Sequence, residues 1–356
     1  MELFSYLQEV TQKFGPSGHE YEVAEWLKSQ FEPFCDSVTI DSLYNVIALK
    51  KATRKRKDGK PAPKVMIVTH QDEIALMVSA IEEDGSIRLG NVGGVDPRVL
   101  PASTVTVHAS KTNEKLIGVV GATPPHLLGD SNRSKNYLRE ELFVDCGFTA
   151  ENLHSKVDVG DLITLNGPTT KLLNGRMASK TMDDRVCCGI SLDTAERIQN
   201  MSHICDIYFV CASQEEVGCK GAGVAAYTIQ PDMAYIMDVT HATLPNSRPD
   251  TTLPLEAPAI TFGPFVQYKL VDALRNTAKK HSVTLNEEHA ESRTGTDTDS
   301  VQIAGEGVPC VLINLPLKYM HTAVEVVSTK AVTETARLLS HALSEMQEGW
   351  DDDLWI

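Results

Sequence analysis

At 356 residues the chain is long enough for one large domain and a smaller one, because single cores stop growing at roughly 250–300 residues. With 42% hydrophobic, 23% charged and 6% aromatic residues it has the material for a sizeable core, which excludes general disorder. Its 33 Lys and Arg stand against 48 Asp and Glu, and the resulting formal charge of −15 argues against nucleic acid or an anionic membrane as a partner.

No apolar run approaches the ~20 residues of a membrane span. The opening MELFSYLQEVTQKF has no basic region followed by an apolar run, so a cytoplasmic location is expected. The eight cysteines form no C-x-x-C pair. They sit in apolar runs, as Cys205 and Cys211 do in ICDIYFVCAS, or in helix-forming sequence, as Cys187 and Cys188 do, and read as reduced core thiols.

In chain order, residues 2–14 read as an amphipathic helix stopped by Gly15-Pro16-Ser17-Gly18, followed by a second helix through EYEVAEWLKSQF. The β-rich run SVTIDSLYNVIALKK comes next. The basic, Pro-containing stretch ATRKRKDGKPAPK between NVIALKK and KVMIVTH reads as an exposed hairpin tip. From about 75 to 166 the texture changes to short alternating strands (SIRLGNV, STVTVHAS, KLIGVVG, DLITLN) between Gly, Pro and Asn clusters, which predicts an inserted small β-domain. Beyond it, helices such as DDRVCCGISLDTAERIQNM and TKAVTETARLLSHALSEM alternate with buried strands HICDIYFVCAS, MAYIMDV and PCVLINL. That alternation predicts a central sheet with helices on both faces. The acidic tail WDDDLWI carries no recognisable chemistry.

Five places put metal-capable side chains at strand ends or tight turns, where α/β sheets display ligand-binding residues. In KVMIVTHQDEIALMV an apolar strand delivers His70, with Asp72 two residues on and facing the same side. Taken alone, a strand histidine is more often a hydrogen-bonded core residue than a ligand. In SKTMDDRVCCGI, Asp183 and Asp184 open a helix, and one of the two is expected as its N-terminal partner. In FVCASQEEVGCKGAG, the adjacent Glu215 and Glu216 would repel unless a cation or proton is shared. Asp238 ends the strand AYIMDVTHAT, and His321 follows a buried strand in LINLPLKYMHTAVEVV. Together they supply a His/carboxylate set suited to a pair of Zn²⁺, Co²⁺ or Mn²⁺ ions, zinc first. Two other readings stay open: a metal-free carbohydrate hydrolase using Glu215 and Asp72, or a metal-binding scaffold without catalysis.

With these residues in order, the sequence resembles the glutamyl and deblocking aminopeptidase family. The carrying motifs are THQDEIALMV, GGVDPRVLP, GVVGATPPHLL, SKTMDDRVCCG, SQEEVGCKGAG, MDVTHAT, GTDTDSVQIAGEGVP and KYMHTAVEVV. The resemblance implies an α/β fold with a central mixed sheet of the zinc-exopeptidase kind. A catalytic domain would comprise residues 1–74 and 167–356, with a barrel-like dimerisation domain at 75–166. It further implies hydrolysis of N-terminal residues from short peptides by homo-oligomers of tetrahedral, dodecameric form. His70 and Asp238 would each bind a metal, Asp183 would bridge, and Glu216 and His321 would complete the two shells; Glu215 would be the base and Asp72 would orient His70. Gln71, Ala75 and HTAVE depart from the family's usual residues without removing a ligand or the base.

Overall fold

The computed structural model describes residues 2–127, 135–351 and 354. Leu128 of the GVVGATPPHLL motif and most of the tail WDDDLWI lie outside these.

The chain opens with α1 (Leu3–Val10) and α2 (Tyr21–Phe31), whose apolar faces, including Leu7, Val10, Leu27 and Phe31, enter the main core. The helix predicted over 2–14 ends early. The Arg185 guanidinium takes the carbonyls of Val10 and Lys13 at 2.8 and 2.7 Å, turning the chain away from the helical path. Strands β1 (Ser37–Ile40), β2 (Val46–Lys50) and β3 (Lys64–His70) follow. The basic loop between β2 and β3 is not a hairpin tip, because a later strand separates the two in the sheet.

Six strands then close into a barrel: β4 (Ala75–Ile81), β5 (Ile87–Val92), β6 (Thr104–Ala109), β7 (Glu114–Ala122), β8 (Leu142–Asp145) and, after helix α3 (Ala150–His154), β9 (Leu162–Leu165). Every described pairing in the barrel is antiparallel. Its interior is a separate core in which Leu76, Ile87, Val105, Val107 and Val144 are solvent-excluded. Period-2 alternation places these residues inward, as closure of a small barrel demands.

The chain returns through β10 (Thr170–Leu172) and β11 (Arg176–Ser179) to α4 (Met182–Ile198). It continues as β12 (Asp206–Ala212), α5 (Lys220–Ile229), β13 (Met233–His241), β14 (Ala259–Phe262), α6 (Tyr268–Lys280) and β15 (Asn286–His289). The last elements are α7 (Thr298–Val301), β16 (Cys310–Leu317), β17 (Glu325–Ser328) and α8 (Thr329–Ser344). The main sheet runs β1-β2-β12-β3-β13-β16-β14-β15, with a small β10-β11-β17 sheet beside it. Strands β12, β3, β13 and β16 are mutually parallel, while β2 and β14 pair antiparallel at either side, so the sheet is mixed. The parallel strands are continuously apolar because both faces are covered, as such strands require. Helix α4 lies at the centre of the core; fourteen of its seventeen residues are buried. All eight cysteines are free.

Candidate active site

The carboxyl ends of β3, β12 and β13, the loop after β16 and the start of α4 converge on one cavity of about 330 Å³. His70 is the last residue of β3. Its Nε2 lies 3.1 Å from Asp183 Oδ1, 3.9 Å from Asp238 Oδ1 and 4.0 Å from Glu215 Oε2. On the other side of Asp183, its Oδ2 lies 3.3 Å from His321 Nε2, which is also 3.2 Å from Glu216 Oε1. Two ligand sets result, His70/Asp183/Asp238 and Asp183/Glu216/His321, each with ligand atoms within 4.8 Å of one another and with Asp183 common to both. Of the seven residues expected to bind metal, act as base or orient a ligand, six therefore meet directly, and the seventh, Asp72, stands behind them.

Asp72 is fully buried and works as a clamp. Its Oδ1 accepts the Glu215 N–H at 3.0 Å and lies 3.4 Å from His70 Nδ1. Its Oδ2 accepts the Ser17 hydroxyl at 2.6 Å and the Glu216 N–H at 3.2 Å. One carboxylate thus faces the His70 imidazole and fixes the backbone carrying both glutamates. Because it is enclosed by these donors, it is not presented to a sugar ring opposite Glu215, which removes the carbohydrate-hydrolase geometry.

Neither Asp183 nor Asp184 provides the N-terminal cap of α4 that was expected of one of them. Asp184 Oδ2 accepts the His70 N–H at 3.2 Å and its Oδ1 has no partner, while Asp183 and Asp184 both lie at non-helical angles. The chain turns there to aim Asp183 between the two imidazoles.

The electrostatics call for cations. Burial pushes the Glu215 carboxyl up to about 8. Burial likewise raises Glu216, and Asp238 rises well above the carboxylate range. Burial opposes protonation of His321, yet contact with Asp183 and Glu216 lifts it to about 11. Four carboxylates are thus packed round two imidazoles, and no Lys or Arg lines the cavity among the described residues. Two divalent ions fit this donor set: all N/O ligands, no thiolate, and one carboxylate placed to serve both. Two further groups are poorer ligand sets: in His281, His341 and Glu345 the imidazoles stack 3.5 Å apart in nearly parallel planes, and in Glu215, Cys219 and Asp297 the thiol already donates to Glu215 Oε1 at 3.2 Å.

Several positioning residues escaped the sequence reading. Glu325 accepts the Asp183 and His321 N–H groups at 3.0 and 2.7 Å. The Gly94 carbonyl, from the barrel, lies 2.8 Å from His321 Nδ1 and accepts its proton, leaving Nε2 free for a ligand role. Ser17 and Asp297 complete the surroundings, with Asp297 pushed up to about 8 by burial. Ser17, Gly94, Asp297 and Glu325 each lie in a motif already noted, but their partners are distant in sequence. Non-glycine residues at positive φ also gather here: Thr181, Gln214, Cys219 and His321. This backbone region is unfavourable for L-residues, and such outliers collect where side chains must be aimed.

The profile of the M42 glutamyl aminopeptidase family matches residues 46–338. The chain belongs to this family. The lysyl aminopeptidase of Pyrococcus furiosus is 32% identical over 346 residues, covering 96% of each chain. The TET aminopeptidase of a marine sediment archaeon of the Thaumarchaeota superposes with a TM-score of 0.91 at 27% identity, over 99% of both chains. The TET1 peptidase of Pyrococcus horikoshii, described as assembling into a tetrahedron or a large octahedral shell, shares the fold with a TM-score of 0.81 at 24% identity, over 97% of this chain and 100% of that one. As an M42 family member the chain is a peptide hydrolase, a metal-dependent aminopeptidase.

Proposed function

We propose that His70, Asp183 and Asp238 hold one divalent ion and Asp183, Glu216 and His321 a second, that Glu215 is the general base, and that Asp72 orients His70. The observation that carries this is a single buried carboxylate, Asp183, between two imidazoles, with one glutamate, Glu215, in neither ligand set. When bound, the ions supply Lewis acidity to the attacking water and the scissile carbonyl. Glu215 takes the proton of that water as its oxygen bonds to the carbonyl carbon, and gives it to the departing amine nitrogen as the C–N bond breaks. Its enclosed position favours this exchange, since burial raises its basicity. Zn²⁺ suits the donors best, with Co²⁺ and Mn²⁺ next.

The same reading takes residues 1–74 and 167–356 as the catalytic unit and 75–166 as the element that pairs subunits into a dodecamer-type homo-oligomer in the cytoplasm. Ile117 and Val119, two residues apart on β7 and 63% and 49% exposed, give the barrel an outward apolar strip consistent with that pairing. The test is a panel of aminoacyl chromogenic substrates with N-acetylated counterparts, before and after chelation and after return of each metal. Cleavage restored by metal and confined to free amines is expected; chelator-insensitive cleavage, or equal cleavage of the acetylated set, would overturn the reading.

A further inference from the structure

The cavity continues past the metal-ligand groups along the edges of β13, β16, β14 and β15, and its far wall carries one more carboxylate, Glu288. Glu288 lies on β15 opposite Thr261 of β14. Its Oε1 accepts the Thr240 hydroxyl at 2.5 Å; its Oε2 accepts the Asn314 amide at 2.5 Å and the Thr261 hydroxyl at 3.4 Å. All three donors are neutral. The neighbouring Glu287, which faces away from the cavity, has a counter-ion in Arg275 at 3.1 Å. Two adjacent glutamates are therefore treated differently, and only the one facing outward has its charge matched.

Two further observations point to a missing donor. Asn314 Oδ1 is buried with no partner, so this wall holds an orphaned acceptor beside the carboxylate. Two divalent ions would balance the four carboxylates around the ligand sets, but nothing lining the cavity balances Glu288; the remaining titratable groups on that wall are His241 and His289. The distances suit a side chain. Asn314 is the cross-strand neighbour of the ligand Asp238, and Thr240 lies two residues beyond Asp238 on the same face of β13. That step is roughly 6–7 Å along a strand, comparable to the reach of an extended lysyl side chain.

We propose that the enzyme selects substrates with a cationic N-terminal residue, lysyl or arginyl, whose ammonium or guanidinium group is received by Glu288. The proposal rests on the aminopeptidase reading above. An ammonium or guanidinium brings the donors and charge that this wall lacks. A leucyl side chain would close Glu288 off against carbon with neutral donors and no counter-charge, and a glutamyl one would set two like charges together.

The test compares kcat/KM for lysyl, arginyl, leucyl and glutamyl chromogenic substrates on the metal-loaded full chain at pH 8. Lysyl or arginyl substrates are expected to exceed leucyl at least tenfold and glutamyl at least a hundredfold. No cleavage of any substrate would remove the aminopeptidase reading itself. Cleavage led by leucyl leaves that reading intact and overturns this proposal. Cleavage led by glutamyl does the same. In Glu288→Gln the lysyl-to-leucyl ratio should fall at least tenfold; because both rates come from one preparation, a partly misfolded fraction cancels. The unmodified enzyme gives an independent check. Free L-lysine should inhibit leucyl hydrolysis at least tenfold more strongly than L-norleucine, which has the same chain without the charge, and equal inhibition would overturn the proposal.

Discussion

Asp72→Asn changes one oxygen to an amide nitrogen and nearly preserves volume, so its effect isolates what the carboxylate does. The aspartate has Glu215 N–H and His70 Nδ1 at one oxygen, and Glu216 N–H and the Ser17 hydroxyl at the other. An asparagine accepts at one oxygen only. If that oxygen faces Glu215 and His70, the Glu216 N–H meets an amide N–H, while the Ser17 hydroxyl can rotate to accept. The stranded buried donor costs about 1–3 kcal/mol. The reverse orientation strands both Glu215 N–H and His70 Nδ1–H and is the poorer choice. In either case His70 loses its anionic partner, and loss of such a partner weakens metal affinity by roughly 10–100-fold. Metal titration against kcat/KM on the preferred substrate should show that rightward shift. Because the Glu215 and Glu216 backbone is clamped through the same residue, kcat should also fall at saturating metal. A variant with metal affinity and kcat both within twofold of the unmodified enzyme would refute the clamp.

Glu215→Gln should lower kcat by about 10²–10⁴ while metal content, measured after gel filtration, stays unchanged; loss of metal instead would make Glu215 a ligand. Gly94→Ala would place a methyl group 2.9 Å from His321 Nδ1, so the Asp183/Glu216/His321 position should lose affinity and only one of the two metals should survive dialysis. Retention of both would show that the loop carrying Gly94 yields freely. Burial, then the nearby Asp72 charge, raises Glu20 to about 7. A raised carboxyl contributes stability that is complete below its unfolded value near 4.5 and is lost as pH climbs through about 7. Glu20→Gln should therefore be about 2–3 kcal/mol more stable than the unmodified chain at pH 8, with the difference closing towards pH 5. Urea denaturation of metal-free protein at both values measures this, and a pH-independent difference would count against the assignment.

The sequence determined a good deal alone. Runs such as KVMIVTH and PCVLINL read as strands covered on both faces, and the short alternating strands between 75 and 166 as a separate β-unit with one apolar side, whose closure into a barrel only the resemblance implied. Period 2 in an antiparallel barrel and continuous apolarity in a parallel sheet are local properties, and so are readable from adjacent residues. His70, Asp183, Glu215, Glu216, Asp238 and His321 were likewise legible, since each ends an apolar strand or opens a turn with side chains that bind metal.

Only the tertiary structure decided which groups hold those side chains. That Gly94 accepts from His321, that Glu325 binds the backbone of Asp183 and that Ser17 donates to Asp72 depend on elements 55 to 227 residues apart in sequence. Arg185 shortened α1 by attracting carbonyls 172 and 175 residues earlier, and strand order turned an expected hairpin into a crossover. Asp184 went to the His70 N–H instead of its own helix because a strand end with a free donor lay beside it. Glu288 in NEEH looks like an ordinary solvated edge residue until β14 and β16 bring Thr261 and Asn314 against it. Hydrophobic periodicity reports which face of an element is buried; it has no term for which partner meets that face, and the partner sets the charge, the hydrogen bonds and so the selectivity of the site.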